Sequence, residues 1–344
     1  MNFFLPVVEK LDFHENFKRV LIKNNKPAQE LFNKWASGFV DRDKKLIKEF
    51  QTTFNSTFWE VYLFAVLKEY GLNVNFNYSS PDFSIINPNI IIEATTANAA
   101  KNKTPEWEKK YSPDELVKLN RFNELNREAM IRLCNSIKEK EKKYNKIYSK
   151  LDHVRGKPFV IAVAPFEQPY FNLQYDRAVR AVLYNDYVNE DVFLDNPELY
   201  PEGPPNQQLD YVKKDNGTEI PLGFFCDEQY EDISAIMFSC NATWGKLLAL
   251  SNKNNPLGEI YSTWAKPPEG IPKKVICKTS EYDETILDGL MIFHNPYAKR
   301  PLDTKIFRAN RVVQIYPGEE SFSLVFENYN DCLHSRTIHI PHSK

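Results

Sequence analysis

The hairpin between Phe83 and Ile92 constrains the fold of this chain most. Two short apolar runs, Phe83 to Ile86 and Ile90 to Ile92, flank Asn87-Pro88-Asn89. Proline favours turns through its fixed φ, and asparagine through side-chain hydrogen bonds to the nearby backbone. The pattern therefore predicts two antiparallel strands joined by a tight turn.

The hairpin register brings two carboxylates together. If Asn87 and Pro88 form the loop, Asp82 lies opposite Glu93, with Cβ atoms about 5 Å apart. Such a pair either shares a proton at a raised pKa or binds a cation between its members. Oxygen ligands favour Mg²⁺, Mn²⁺ or Ca²⁺ over zinc, so the pair predicts a hard-metal site.

A helix precedes the hairpin and carries a third acid. Ser56 or Thr57 is the predicted cap, and Gly71 the predicted stop. Glu60 falls on the same stripe as Leu63, which predicts that Glu60 faces the protein interior. A buried glutamate needs a cation or hydrogen-bond donors, so Glu60 joins the candidate site.

Three short motifs resemble those of a known family. Phe58-Trp59-Glu60, Pro81-Asp82 and Glu93-Ala94-Thr95 are similar to motifs of the PD-(D/E)XK nuclease superfamily, and more narrowly to a bacterial group with the patterns FWE, PDF and EAT. The resemblance extends over roughly 55–310. It implies an α/β fold with a restriction-endonuclease-like core of a helix, a three-strand meander, a helix and a further strand.

The resemblance also implies a division of the chain. Residues 1–54 are expected to form an N-terminal helical extension. Residues 55–240 are expected to hold the nuclease core, with a surface insertion near 190–222, where Pro, Asp and Asn are frequent. Residues 241–344 are expected to be an α+β elaboration of unknown role, loop-rich between 241 and 280.

One position departs from the superfamily pattern, which has Lys two residues after the Glu. Thr95 stands there, and it cannot supply a positive charge. Residues 131–150 read as an amphipathic helix. Lys140 lies close to its apolar stripe and is the first candidate for a migrated lysine, with Lys143 second. The alternative is that this lysine-rich run is a solvated helix face.

The resemblance implies specific roles for these residues. Asp82, Glu93 and the main-chain carbonyl of Ala94 would hold Mg²⁺ or Mn²⁺, Glu60 would act through a water or a second metal, and Lys140 would be catalytic. The implied activity is endonucleolytic hydrolysis of DNA, in restriction or phage defence, with RNA as a possible substrate and a homodimer as a possible assembly. The alternative is an inactive nuclease-fold module that binds nucleic acid or a protein.

Charge is unevenly distributed. The chain carries a net −2, whereas the segment from Lys101 to Lys157 holds sixteen Lys and Arg against nine Asp and Glu. Lys140 and Lys143 belong to this segment and are predicted to contact nucleic acid; a charged surface helix pair is the alternative. Residues 97–112 are predicted to form a polar loop, with a flap over substrate as one role.

Several classes of protein lack support. The chain has no run of 18 apolar residues and no signal-peptide pattern, so no membrane partner and a cytoplasmic location are expected. Five separated cysteines without a CxxC pair read as core residues rather than disulfides or zinc ligands. His294, before Asn295-Pro296, is expected to be a turn residue.

Overall fold

The structure of the protein is a computed structural model. It describes residues 1–99, 104–108, 121–168, 170–268, 270–318 and 323–340. Within these residues the strands are β1 (Val74–Asn75), β2 (Phe83–Ile85), β3 (Ile90–Thr96), β4 (Phe159–Ala164), β5 (Asp186–Val188), β6 (Asn206–Gln208), β7 (Tyr211–Lys213), β8 (Glu219–Pro221), β9 (Ala235–Phe238), β10 (Glu259–Lys266), β11 (Ile271–Lys278), β12 (Met291–His294), β13 (Val313–Pro317), β14 (Leu324–Glu327) and β15 (Cys332–His339).

The helices of the described residues lie mainly before and between these strands. They are α1 (Glu15–Val20), α2 (Lys26–Trp35), α3 (Leu46–Thr52), α4 (Asn55–Glu69), α5 (Phe122–Lys146), α6 (Arg177–Tyr184), α7 (Glu190–Asp195) and α8 (Trp244–Ser251). Short 3-10 turns add Lys10–Asp12, Lys23–Asn25, Glu106–Glu108, Tyr148–Lys150, Phe171–Leu173, Pro197–Leu199 and Glu228–Tyr230.

Eight strands form one mixed sheet in the order β1-β2-β3-β4-β9-β12-β13-β14. Strands β3, β4 and β9 run parallel at its centre, and β1, β2 and β3 form an antiparallel meander. Every residue of β4 and β9 is buried, as expected for parallel strands covered on both faces. The protein is therefore mixed α/β, as its sequence predicts.

Helices cover both faces of this sheet. Helices α2, α3, α4 and α8 pack on one face, against Ile92 and Ala162 among others. Helices α5 and α6 pack on the other face, against Ile91 and Ile161. Because successive residues of a strand alternate between faces, Ile91 and Glu93 share the face that α5 covers.

The hairpin register is the predicted one. The paired residues are Phe83 with Ile92, Ser84 with Ile91 and Ile85 with Ile90. Continuing the same register by one step places Asp82 opposite Glu93. Residues 86–89 form the turn.

The start of α4 differs from the prediction, whereas its end agrees. The helix begins at Asn55, and neither Ser56 nor Thr57 caps it; Phe54 occupies the cap position with φ 57° and without a side-chain hydrogen bond. Packing of Phe54 in the aromatic core outweighs the missing cap. Gly71 follows the helix with φ 68° and donates its N–H to a carbonyl of the last turn, as expected.

The prediction that residues 241–280 are loop-rich is wrong. This segment contains α8, β10 and β11, and β10 pairs with both β11 and β15 in a second sheet. Buried and exposed residues alternate along most of β10, whereas β11 is largely exposed and rich in lysine. Further along the chain, β12, β13 and β14 extend the central sheet beyond β9.

The other predicted segments have mixed outcomes. Between 190 and 222 lie α7 and strands of two small two-stranded sheets, β5 with β6 and β7 with β8, outside the central sheet. Of the predicted polar loop 97–112, residues 100–103 and 109–112 lie outside the described residues. All five cysteines are free, and Cys226 is exposed rather than in the core.

Candidate active site

Glu93 is a buried carboxylate held by three donors. It lies in the middle of β3, where hydrophobic residues surround it along the strand. Its Oε1 accepts hydrogen bonds from Lys140 Nζ at 2.8 Å, Lys143 Nζ at 3.0 Å and the Tyr148 hydroxyl at 3.0 Å. Two ammonium groups on one carboxylate leave an excess of positive charge at this point.

Helix geometry explains why both lysines reach the same oxygen. Lys140 and Lys143 are three residues apart on α5 and so lie on neighbouring turns of one face. The buried stripe of this helix includes Leu133, Ile137 and Tyr144, and it packs α5 against the sheet. The side chain of Lys140 is 18% exposed and that of Lys143 is 42% exposed, so Lys140 is the more enclosed of the two.

Asp82 is tied to the same strand through the backbone. Its Oδ2 accepts the N–H of Ala94 at 2.7 Å. The last pair of the β2–β3 ladder is Phe83 with Ile92. The Asp82 side chain therefore extends the hydrogen bonding between these segments by one position beyond that pair. Ala94 thus contacts Asp82 through its N–H, whereas the resemblance assigned its carbonyl to a metal.

Glu60 approaches Asp82 from the opposite helix layer. The two side chains line one small cavity, of about 180 Å³, beneath the segment that leads into α3. Asp41, Arg42 and Glu49 line the same cavity. With Asp43, the cavity is therefore bounded by five carboxylates and by two cations, Arg42 and Lys45.

The carboxylates hold protons more tightly than usual. Burial, and then the charge of Asp82, raises the pKa of Glu60 to about 8. Burial, and then the charge of Glu93, raises the pKa of Asp82 to about 6, against the N–H of Ala94, which lowers it. Both pKa values reflect burial first and then electrostatic repulsion among three acids, which come from α4, the residue before β2, and β3.

The carboxylate oxygens of the site meet some, but not all, of the requirements for binding a hard cation. Glu93 Oε2 is buried and has no hydrogen-bond partner among the described residues, and burial, followed by repulsion, raises the pKa of Asp82 and of Glu60. Within the described part of the chain, however, no group of three or more His, Cys, Asp or Glu side chains is arranged to hold a metal ion. Lys140 and Lys143 neutralise Glu93 instead.

The structure thus brings together the residues that the sequence singled out. Glu93 contacts Lys140 and Lys143, and Asp82 links β2 to Ala94. Glu60 shares a cavity with Asp82. Thr95 is only partly buried, and its hydroxyl is 3.5 Å from the carbonyl oxygen of its neighbour Thr96.

Two neighbours of the site were missed. The phenol of Tyr148 donates a hydrogen bond to Glu93, and burial and then Glu93 raise the pKa of Tyr148 far above its usual range. Arg42 donates to the carbonyl of Tyr78 and, at 3.3 Å, to that of Asp82. Nothing in the sequence pattern near Arg42 points to this contact, which joins residues 40 apart.

His294 takes no part in this site. It is the last residue of β12, so the predicted turn position is wrong, and β12 lies three strands from β3. Its Nε2 lies 2.9 Å from the side-chain oxygen of Gln314, and burial lowers its pKa.

Comparison with known proteins adds no relative. The chain matches no protein-family model, no curated protein and no solved structure. None of the helices in the described ranges has the length and apolar character needed to cross a membrane. The function of the site is therefore argued from its own geometry.

Proposed function

We propose that this protein is a metal-dependent endonuclease that hydrolyses phosphodiester bonds of DNA, with restriction or phage defence as its setting. The observation that carries the proposal is the convergence of Asp82, Glu93 and Lys140 from β2, β3 and α5. Two acids and a lysine at one point are the groups that phosphodiester hydrolysis needs, because a phosphate carries negative charge and the attacking water must lose a proton.

The order of elements supports the superfamily assignment. Helix α4 precedes the meander β1-β2-β3, and α5 then crosses to β4, which lies parallel to β3. This order agrees with the helix, three-strand meander, helix and further strand that the resemblance implies. Glu60 lies on the helix, Asp82 directly before the second strand and Glu93 on the third strand, in agreement with the places that the resemblance implies.

Lys140 takes the role of the lysine that Thr95 cannot fill. Its ammonium group lies 2.8 Å from Glu93, on the helix that follows the meander. From there it can donate a hydrogen bond to a phosphate oxygen and stabilise the charge that grows there during the reaction. Lys143, which is more exposed, is placed to contact the nucleic-acid backbone.

Mg²⁺ or Mn²⁺ would be held by Asp82 and Glu93, with the Ala94 carbonyl as a further oxygen. When bound, the ion would supply Lewis-acid stabilisation of the phosphate and make a coordinated water more acidic. Glu93 could hold the cation through Oε2 while Oε1 keeps its contacts with the lysines, and Asp82 would have to be ionised. Lys140 would then remain at the site, available to the phosphate.

A second candidate function rests on a specific observation. Lys140 and Lys143 already neutralise Glu93, and Thr95 replaces the family lysine. A nuclease fold that binds nucleic acid or a protein without cutting would have the same features.

RNA is the alternative substrate of an active enzyme, because acids and lysines do not distinguish DNA from RNA. A homodimer would place one site on each strand of a duplex.

The test is cleavage by the wild-type protein and by a Glu93→Ala variant. Each is incubated with supercoiled plasmid, linear duplex DNA, single-stranded DNA and RNA, in EDTA, Mg²⁺ or Mn²⁺. Glu139→Ala is the matched control, because Glu139 is an exposed acid on α5. Metal-dependent cutting by wild type and the control, absent from Glu93→Ala, is the expected result. No cutting by any protein would favour the binding module.

All five cysteines are free, which is typical of proteins in a reducing compartment. We therefore propose that the protein acts in the cytoplasm.

A further inference from the structure

A second cavity lies beside the first turn of α4, and none of the three acids of the candidate site lines it. Its volume is about 410 Å³, within the usual range of small-molecule sites. The first turn of α4 lines it with Phe54, Asn55 and Phe58, and the segment that follows β4 contributes Phe166. The cavity thus opens near the carboxyl end of a central parallel strand, where α/β proteins commonly bind ligands.

One side of this cavity is aromatic. The lining side chains Phe54 and Phe58 are stacked with ring centroids 5.8 Å apart. The ring centroid of Phe58 lies 6.4 Å from that of Phe166 and 6.4 Å from that of Trp244. These rings form a continuous apolar surface that suits a flat ring system.

Two hydrogen-bond donors at the cavity have no acceptor among the described residues. Asn55 is 4% exposed, and its Oδ1 accepts from Asn16 at 3.2 Å, but its Nδ2 has no partner. The indole Nε1 of Trp244 is buried and also has no partner. Leaving a buried donor unsatisfied is costly, so a ligand that brings an acceptor to either side chain would gain a hydrogen bond.

The rim carries a cation. Arg19 lines the cavity and is exposed; its guanidinium is held by hydrogen bonds to Asn16 Oδ1 at 3.3 Å and to the Trp107 carbonyl at 2.6 Å. The carboxylate of Glu106, also in the lining, accepts the N–H of Tyr170 at 3.3 Å. A guanidinium held in place at the cavity opening can bind a phosphate group.

We propose that this cavity binds a nucleotide. The heteroaromatic base would lie against the phenylalanine rings, with its acceptor atoms toward Asn55 Nδ2 and Trp244 Nε1, and its phosphate toward Arg19. A free mononucleotide and an unpaired base at the end of a nucleic-acid strand offer the same chemistry. The site is independent of cleavage, because its residues are distinct from Glu60, Asp82 and Glu93.

Calorimetric titration in EDTA tests this proposal on the full chain without any cleavage. The probes are the four deoxynucleoside monophosphates, a single-stranded tetranucleotide, and ribose 5-phosphate as the probe without a base. At least one monophosphate, or the tetranucleotide alone, is expected to bind. Binding of the monophosphate would identify a free-nucleotide site, and binding of the tetranucleotide alone a site for an unpaired base in a strand.

The variants Asn55→Leu and Trp244→Phe each remove one unpartnered donor and add no charge. Each is expected to weaken binding about five- to tenfold, the usual effect of one lost hydrogen bond. Trp264→Phe is the matched control, because the Nε1 of Trp264 donates to Ser262 at 3.1 Å, away from the cavity. Circular dichroism verifies that each variant is folded.

Three results would overturn the proposal. One is no binding of any nucleotide probe to the folded wild-type protein. Another is equal binding of ribose 5-phosphate, which would mean that the aromatic surface does not recognise a base. The third is unchanged affinity in both cavity variants.

Discussion

Lys140 Nζ lies 2.8 Å from Glu93 Oε1, although 47 residues separate the two along the chain. The contact exists because α5 packs across the sheet face on which Glu93 stands. It places a cation beside a buried carboxylate of the candidate site. The first prediction tests whether this cation acts in catalysis.

Lys140→Met should reduce the rate of plasmid cleavage by about 10²-fold or more, as loss of one group that stabilises charge in the transition state does in other enzymes. Lys143→Met should have a smaller effect, because Lys143 is more exposed. Single-turnover rates measure both. Lys142→Met, exposed on the same helix, is the control and should cut at the wild-type rate. Equal rates in Lys140→Met and the control would remove Lys140 from the mechanism.

Tyr148 is expected to act as a positioning residue for Glu93. Tyr148→Phe keeps the buried ring and removes the hydroxyl that donates to Glu93 at 3.0 Å. We expect a loss of about 1 kcal/mol in the free energy of unfolding, the usual net value of such a bond. Urea denaturation measures it.

A structural role alone would leave the metal requirement of Tyr148→Phe unchanged. If the phenol orients Glu93, the Mg²⁺ concentration that gives half-maximal cleavage should rise, and the variant Tyr148→Trp should not restore it. An unchanged Mg²⁺ dependence would mean that Tyr148 stabilises the fold only.

The raised pKa of Glu60 predicts how stability depends on pH in EDTA. Because the folded protein holds this proton up to a pKa of about 8, whereas the unfolded chain releases it near 4.5, the folded state binds more protons between these values. Stability should therefore fall as pH rises from about 4.5 to 8. Asp82, with its pKa raised to about 6, should add to the fall over the lower part of this window.

The variant Glu60→Gln should lack the larger part of this decrease in stability with rising pH. At pH 8 the variant should exceed wild type by roughly 1 to 2 kcal/mol, since one pKa unit corresponds to about 1.4 kcal/mol and solvation offsets part of the shift. Denaturation at pH 5 and pH 8 gives the comparison. The exposed Glu139→Gln should behave as wild type at both pH values. Parallel stability curves for wild type and Glu60→Gln would refute the assignment.

Metal addition should raise the thermal midpoint of the wild-type protein, because a ligand that binds only the folded state stabilises it. Mn²⁺ at pH 7.5 should give a larger increase than at pH 5.5, where Asp82, with a pKa of about 6, keeps its proton and competes with the cation. Asp82→Asn should abolish the increase. An equal increase in this variant would place the cation elsewhere.

Local pattern was enough to predict the hairpin and its register. The turn residues lie between two apolar runs, and a slip by one residue would turn Ile92 and its neighbours to the wrong face. The same holds for α5, whose buried positions Leu133, Ile137 and Tyr144 recur at helical spacing. The cap of α4 and the strands β10 and β11 were mispredicted, because packing of Phe54 and pairing with β15 are not local.

The sequence by itself determined the short-range features: the helix with Glu60, the hairpin that sets Asp82 opposite Glu93, and a helix rich in lysine. These depend on residues within a few positions of one another, through backbone preference and periodicity. The tertiary structure alone decided that Lys140, Lys143 and Tyr148 meet on one oxygen of Glu93, and that Asn55 and Trp244 share a cavity. Such contacts depend on how whole helices pack on the sheet, which no short stretch of sequence specifies.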